Sequence, residues 1–253
     1  MRNTPQKITL CLDLFYKGIS TRKIQEHLQA FYPHNSSWVS IYRWIVKFSE
    51  KISQFTDKLK LNVGNEIQVD EVEFHRRKQS NRKGVDRNWF IDSIDTKTRY
   101  MVSSEFVKAR EKKEVRAILK DIKKKVKDVE ILTTDGHHIY QNVVKKIFGY
   151  DKVKQRYNVL HNVVNASKGE GFNIKIERLH NTIRHRTKTF RGFHGSIKSA
   201  KAIMKGFEIY YNFIRQHLAL KGKTPSELAT DIKLKENNKW LELIKMSNHI
   251  SLY

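Results

Sequence analysis

The chain has 253 residues, 39% of them hydrophobic, and 50 Lys plus Arg stand against 26 Asp plus Glu, giving a net charge of +24 and a sequence pI of about 10.0. No apolar run approaches membrane-spanning length, the opening "MRNTPQKITL" lacks a signal-peptide layout, and the single cysteine, Cys11, excludes an internal disulfide and argues against a thiolate metal site; a cytoplasmic protein is expected. Self-repulsion from so large a positive excess works against compactness, so the expected partner is a polyanion, with nucleic acid the leading candidate and a membrane excluded.

The first sixty residues read as three short helices. Thr4 before Pro5 is a cap and first-turn pair, and Ile8, Cys11, Leu12 and Phe15 follow at helical spacing. Cys11 falls inside this apolar pattern as a small core residue. Gly18 stops the helix, Ser20 caps "STRKIQEHLQAF", and Pro33 breaks the chain again. A third helix starts near Ser36 or Ser37. It places Ile41, Ile45 and Phe48 on one face and Ser40, Arg43 and Lys47 on another, a helix-turn-helix pattern whose last helix offers polar and basic groups to a DNA groove. A plain three-helix bundle with a solvated basic face gives the same periodicity. The periodicity lapses around Lys58 to Asn65, and the expected domains are 1–60, 61–230 and a helical tail at 231–253.

From Glu66 the texture changes to strands. "EIQVDEVEF", "NWFIDSID" and "TRYMVSSEFV" are β-rich, and the basic stretch "HRRKQSNRKGVDR" joins the first two. A charged helix follows over roughly 110–127, then the short apolar strand "VEILTTD", a helix from about His138 to Phe148, and a strand near "VKQRYNVL". This order predicts an α/β domain with a mixed sheet covered by helices on both faces. Beyond it, "FNIKIERLHNTIRHRTKTF" carries Ile176, Leu179 and Ile183 on one apolar stripe. A second stripe runs from Ile197 to Ile214 and reads as core packing. "KGKTPSELA" ends in a short helix with Thr224 as cap, Pro225 at the first position and Glu227 at the third.

In so basic a chain most acids fall in charged helices among lysines. Three do not: Asp70 interrupts "IQVDEV", Asp135 ends "EILTTD", and Glu177 shares a polar, mostly basic helix face with His180, Asn181, Arg184 and Lys188. A carboxylate at the inner end of a strand is costly to ionise unless a cation or donors meet it. Each has a bland reading, as a turn acid, a helix cap or a surface ion pair. Together, inside a cationic protein, they suggest divalent metal acting on a phosphodiester, with oxygen ligands suited to Mg²⁺ or Mn²⁺ and two ions as the working arrangement.

With these residues in view the chain resembles the DDE transposases of short prokaryotic insertion sequences. The resemblance runs through the N-terminal "YKGISTRKIQEHL" and "WVSIYRWIVKF", then "QVDEVEF", "FIDSIDTKTRY", "TTDGHHIY", "IERLHNTIRHRTKTFRGFH" and "YNFIRQHLALKGKTPSELA". It implies an RNase H-like catalytic core behind a small all-α helix-turn-helix domain, with Asp70, Asp135 and Glu177 as the catalytic and metal-binding triad. It places Arg184 beside active-site DNA, gives His180 and Arg186 a part in DNA contact or helix ordering, and adds Lys188 to the DNA-facing track. Asp95 reads as structural, and His137 and His138 as helix-start or DNA-facing residues. Many relatives hold the glutamate closer to the second aspartate, a spacing Glu170 fits numerically, but "NASKGEGFN" reads as a Gly-rich loop and Glu177 keeps the flanking motif intact. The implied activity is binding of terminal inverted repeats on double-stranded DNA, followed by cleavage and strand transfer into target DNA by at least a dimer, in the cytoplasm and on the nucleoid. A domesticated regulator without catalysis and a structure-selective nuclease are the competing readings.

Overall fold

Capping chemistry sets the first three helices. In the computed structural model, which describes residues 4–32, 36–77, 85–164, 173–190, 193 and 196–249, Thr4 accepts the Lys7 backbone N–H at 3.3 Å and opens α1 (Pro5–Tyr16). Gly18, at φ +101°, turns the chain out of that helix, where an L side chain would be strained. Ser20 caps α2 (Thr21–Phe31), and Ser37 caps α3 (Trp38–Thr56) through the Ser40 N–H. Cys11 is fully buried, as its spacing predicts. Pro33 lies outside the described residues.

Alternating patterns then build one five-stranded sheet from β1 (Glu66–Arg77), β2 (Val85–Asp95), β3 (Met101–Val107), β4 (Ile131–Thr134) and β7 (Leu160–Val163). Its spatial order is β3-β2-β1-β4-β7. The first three strands form an antiparallel meander, with Asp70 opposite Asp92. β4 and β7 add parallel to the edge of β1, Gln68 facing Thr133 and Leu132 facing His161. Parallel pairing requires crossovers, supplied by α4 (Lys112–Lys125) before β4 and by α5 (His138–Phe148) before β7. This is the mixed sheet flanked by helices that the sequence predicts. The strand expected near "VKQRYNVL" divides into a small hairpin, β5 (Tyr150–Asp151) and β6 (Arg156–Tyr157), and β7 itself.

On one face α4 packs against β3, with α5 beside it. On the other lie α6 (Ile174–Thr187), against β1 and β2, and α7 (Ile197–Ile209), against β3. The predicted long stripe over 197–214 breaks at Tyr210, where a π-helical turn (Tyr210–Ile214) takes over. That turn delivers Asn212 to the sheet edge, where its side chain accepts the Met101 N–H and donates to the Met101 carbonyl, both at 2.9 Å. The capping box of Thr224 and Glu227 opens α8 (Pro225–Ala229) as expected.

The segment 59–65 lacks regular structure, where the sequence places a boundary, yet the core continues across it. The second half of α3 packs along α7, and α9 (Lys239–His249) lies against α1 and α3. Tyr16 joins the layers: its hydroxyl is 2.7 Å from Ser49 Oγ and donates to the Ile203 carbonyl, while its ring stacks on Trp240. Among the described residues no helix is long and apolar enough to cross a membrane.

Candidate active site

The register of β1 on β4 brings two carboxylates to one place. Gln68 faces Thr133, and Asp70 and Asp135 each stand two residues farther along their parallel strands. One side-chain oxygen from each of Asp70, Glu71 and Asp135 lies within 4.8 Å of the others. Successive strand residues point to opposite faces. Asp70 accordingly turns toward α6, and Glu71 toward α5, where Tyr140 donates to Oε2 at 2.6 Å and the Arg110 guanidinium donates to Oε1. Asp135 accepts the His137 N–H at 3.0 Å, and His137 is the N-cap of α5, so the histidines start the helix as the sequence suggests.

Asp70 and Asp92 are directly opposite on neighbouring strands, a pairing of like charges that destabilises a sheet unless a cation intervenes. His180 of α6 intervenes. Its Nε2 is 2.8 Å from Asp92 Oδ1 and its Nδ1 is 3.5 Å from Asp70 Oδ2. Burial opposes a charge on this imidazole, but Asp92 and Asp70 outweigh it and raise the pKa above the ordinary histidine value. Burial pushes the Asp70 carboxyl up to about 7 against the pull of His180. It raises Asp92 as well, and Asp92 Oδ2 has no hydrogen-bond partner among the described residues.

The structure sorts the expected site residues. Asp70 and Asp135 come together. Glu177 is exposed in the first turn of α6 and is not part of the close carboxylate group, because the helix seats Ile176, Leu179, His180 and Ile183 inward. It nevertheless lies one turn before His180, on a helix whose Ile176 N–H bonds to Gln68 Oε1, two residues from Asp70. Glu170 lies outside the described residues.

Arg184 and Lys188 are exposed, as a DNA-facing track requires, and so are Arg43 and Lys47. Ser40 is half-buried in the first turn of α3, with its hydroxyl 3.1 Å from Ser37 Oγ. The expected DNA contact of His180 is corrected. His180 is 3% exposed and has both ring nitrogens on carboxylates, so it offers nothing to DNA. Arg186 donates to the Lys17 carbonyl and lies 5.7 Å over the Tyr210 ring, which ties α6 to the end of α1. Asp95 is structural: it is buried and accepts from Gly64 N, Thr98 N and the Thr98 hydroxyl.

The sequence missed Glu71, Asp92, Arg110 and Tyr140. The adjacency of Glu71 to Asp70 was a signal, since a second acid inside an apolar strand needs partners as much as the first. The close group of Asp70, Glu71 and Asp135 offers only carboxylate oxygens, which suits a hard divalent cation, and the burial that raises the Asp70 pKa is a cost that a cation at hand would offset. The residues therefore fit a metal site.

A mixed sheet thus carries aspartates from two adjoining strands to one point, in a chain of net charge +24. Residues 86–217 match the family model DDE_Tnp_IS240, a DDE domain, over just more than half of the sequence. The chain thus belongs to this family of insertion-sequence DDE transposases, and it is an enzyme of that class. The match begins in β2, so Asp70 and Glu71 precede it. No curated protein matches. Among solved structures, the HTLV-2 integrase catalytic core domain in complex with magnesium, in its dimeric form, aligns over 66% of this chain and 97% of its own at 14% identity and a TM-score of 0.41. The simian T-cell lymphotropic virus intasome in complex with a PP2A regulatory subunit aligns over 86% and 75% at 10% identity and a TM-score of 0.40. Neither likeness is close enough to carry an argument.

Proposed function

We propose that this protein binds the terminal inverted repeats of its own insertion sequence and catalyses cleavage and strand transfer of double-stranded DNA. The observation that carries the reading is the convergence of Asp70 and Asp135 at adjoining strand ends, in a chain of net charge +24. Asp70 and Asp135 would hold Mg²⁺ or Mn²⁺, with Glu177 reaching in from the first turn of α6. Two such ions would supply activation of the attacking oxygen and stabilisation of the leaving one. The chain's own residues do the rest. His180 keeps Asp70 aimed from below, the His137 N–H orients Asp135, and Arg184 and Lys188 line the same helix face as Glu177 for a phosphate backbone.

Arg43 and Lys47 on α3 would read the element end, and synapsis of two ends calls for at least a dimer. The three capped helices in front of the sheet, read as a helix-turn-helix, favour this reading over a nuclease that recognises shape alone. The test is 3′-end cleavage and strand transfer on DNA carrying the element ends with Mg²⁺. Asp70→Asn, Asp135→Asn and Glu177→Gln should each abolish both reactions. Retained activity in the aspartate variants would overturn the site, and loss with Glu170→Gln but not with Glu177→Gln would reassign the third ligand.

A further inference from the structure

We propose that Arg110 is a substrate-phosphate contact, a preset guanidinium that Glu71 and Trp89 hold at the edge of the carboxylate group. Glu71 belongs to the close trio of acids, yet each of its oxygens already accepts a hydrogen bond, Oε2 from Tyr140 and Oε1 from Arg110. With its side chain only 1% exposed, Glu71 is fixed, and it acts as the anchor of the arginine. The second support is Trp89, opposite Glu73 on the same sheet face, whose ring lies 4.7 Å beneath the Arg110 guanidinium. A ring on one side and a carboxylate on another set both the plane and the direction of the guanidinium.

Arg110 is otherwise suited to receive a ligand. Its side chain is 25% exposed, so it opens to solvent while bonded to Glu71, a carboxylate with an oxygen within 4.8 Å of oxygens of Asp70 and Asp135. A guanidinium carries five donors in a planar fork, and the hydrogen bond to Glu71 engages a single nitrogen. The remaining donors match two oxygens of a phosphodiester, and an arginine already paired and stacked loses little freedom on binding it. A phosphate drawn to the aspartates through metal would meet a fixed positive group on its far side, where charge builds on the non-bridging oxygens.

The inference rests on the proposed nucleic-acid substrate, and two measurements keep the two claims apart. The first is binding of an element-end duplex to the full chain with Ca²⁺ over a range of salt. Arg110→Ala should weaken affinity and lower the slope of log K against log salt by about 0.9, the loss of one phosphate contact. The second is the cleavage rate at saturating DNA with Mg²⁺. Arg110→Lys keeps a positive charge for Glu71 but loses the fork, and it should fold like the parent while its rate falls about a hundredfold. An arginine that merely neutralises Glu71 would show a lowered melting temperature for Arg110→Ala, an unchanged salt slope, and full rescue of the rate by lysine; that result overturns the proposal. If the parent binds but does not cleave, the transposase reading fails, while a reduced salt slope still upholds the phosphate contact.

Discussion

At the scale of single residues, the informative arrangement is His180 between Asp70 and Asp92. Removing the imidazole as His180→Ala leaves two opposed carboxylates on neighbouring strands, one of them fully buried. Breaking a buried ionic group by deleting one partner costs about 3 to 5 kcal/mol, so the denaturation midpoint should fall accordingly. Replacing His180 and Asp92 together with leucines should recover most of that loss, because burying no charge is often as good as burying a paired one. If His180→Ala unfolds at the parent's denaturant concentration, the imidazole is not what reconciles these acids. Asp70 and Asp135 were legible because an acid inside an apolar strand violates its own pattern. His180 was misread because helical periodicity places it with Glu177 and Arg184, and its partner Asp92 is 88 positions away, a distance no local pattern spans.

At the scale of elements, α3 divides its labour. Its first half carries exposed Arg43 and Lys47, and its second half buries Ser49, Ile52 and Ser53, with Ser49 against Gly206 of α7. Substitutions in the two halves should therefore separate. Arg43→Ala should cost about 1 to 3 kcal/mol of binding to element-end DNA over random DNA with the melting temperature unchanged. Ile52→Ala should cost about 2 to 5 kcal/mol of stability, read by chemical denaturation. Equal end preference in Arg43→Ala would remove α3 from recognition. Element identities were readable where caps and periodicity agree, as at Thr4, Ser20 and Thr224. The π turn at Tyr210 was not, since its apolar stripe continues at helical spacing and only the pairing of Asn212 with Met101 explains the change of pitch.

At the scale of the whole molecule, the N-terminal helices share a core with the catalytic sheet. Gly206 marks how close that contact is: a Cβ there would collide with the Tyr16 hydroxyl and Ser49 Oγ. Gly206→Ala should destabilise the protein by about 1 to 3 kcal/mol despite the better helix propensity of alanine, and it should loosen α1 and α3 in hydrogen exchange. An alanine variant as stable as the parent would show that the layers part easily. The sequence suggests separate domains because "KLKLNVGN" loses periodicity, and composition cannot show that the helices on either side of that stretch fold back onto each other.

The shared core has a consequence for measurement along DNA. With α3 seated on α7, and α7 on the sheet that carries Asp70, the helix that would read sequence and the carboxylates that would cut are held at one separation by close-packed side chains. Such a body is a gauge. On the proposed function it would set, by its own dimensions, how many base pairs lie between the recognised bases and the severed phosphate, so that an element end one base pair too long would present the wrong bond.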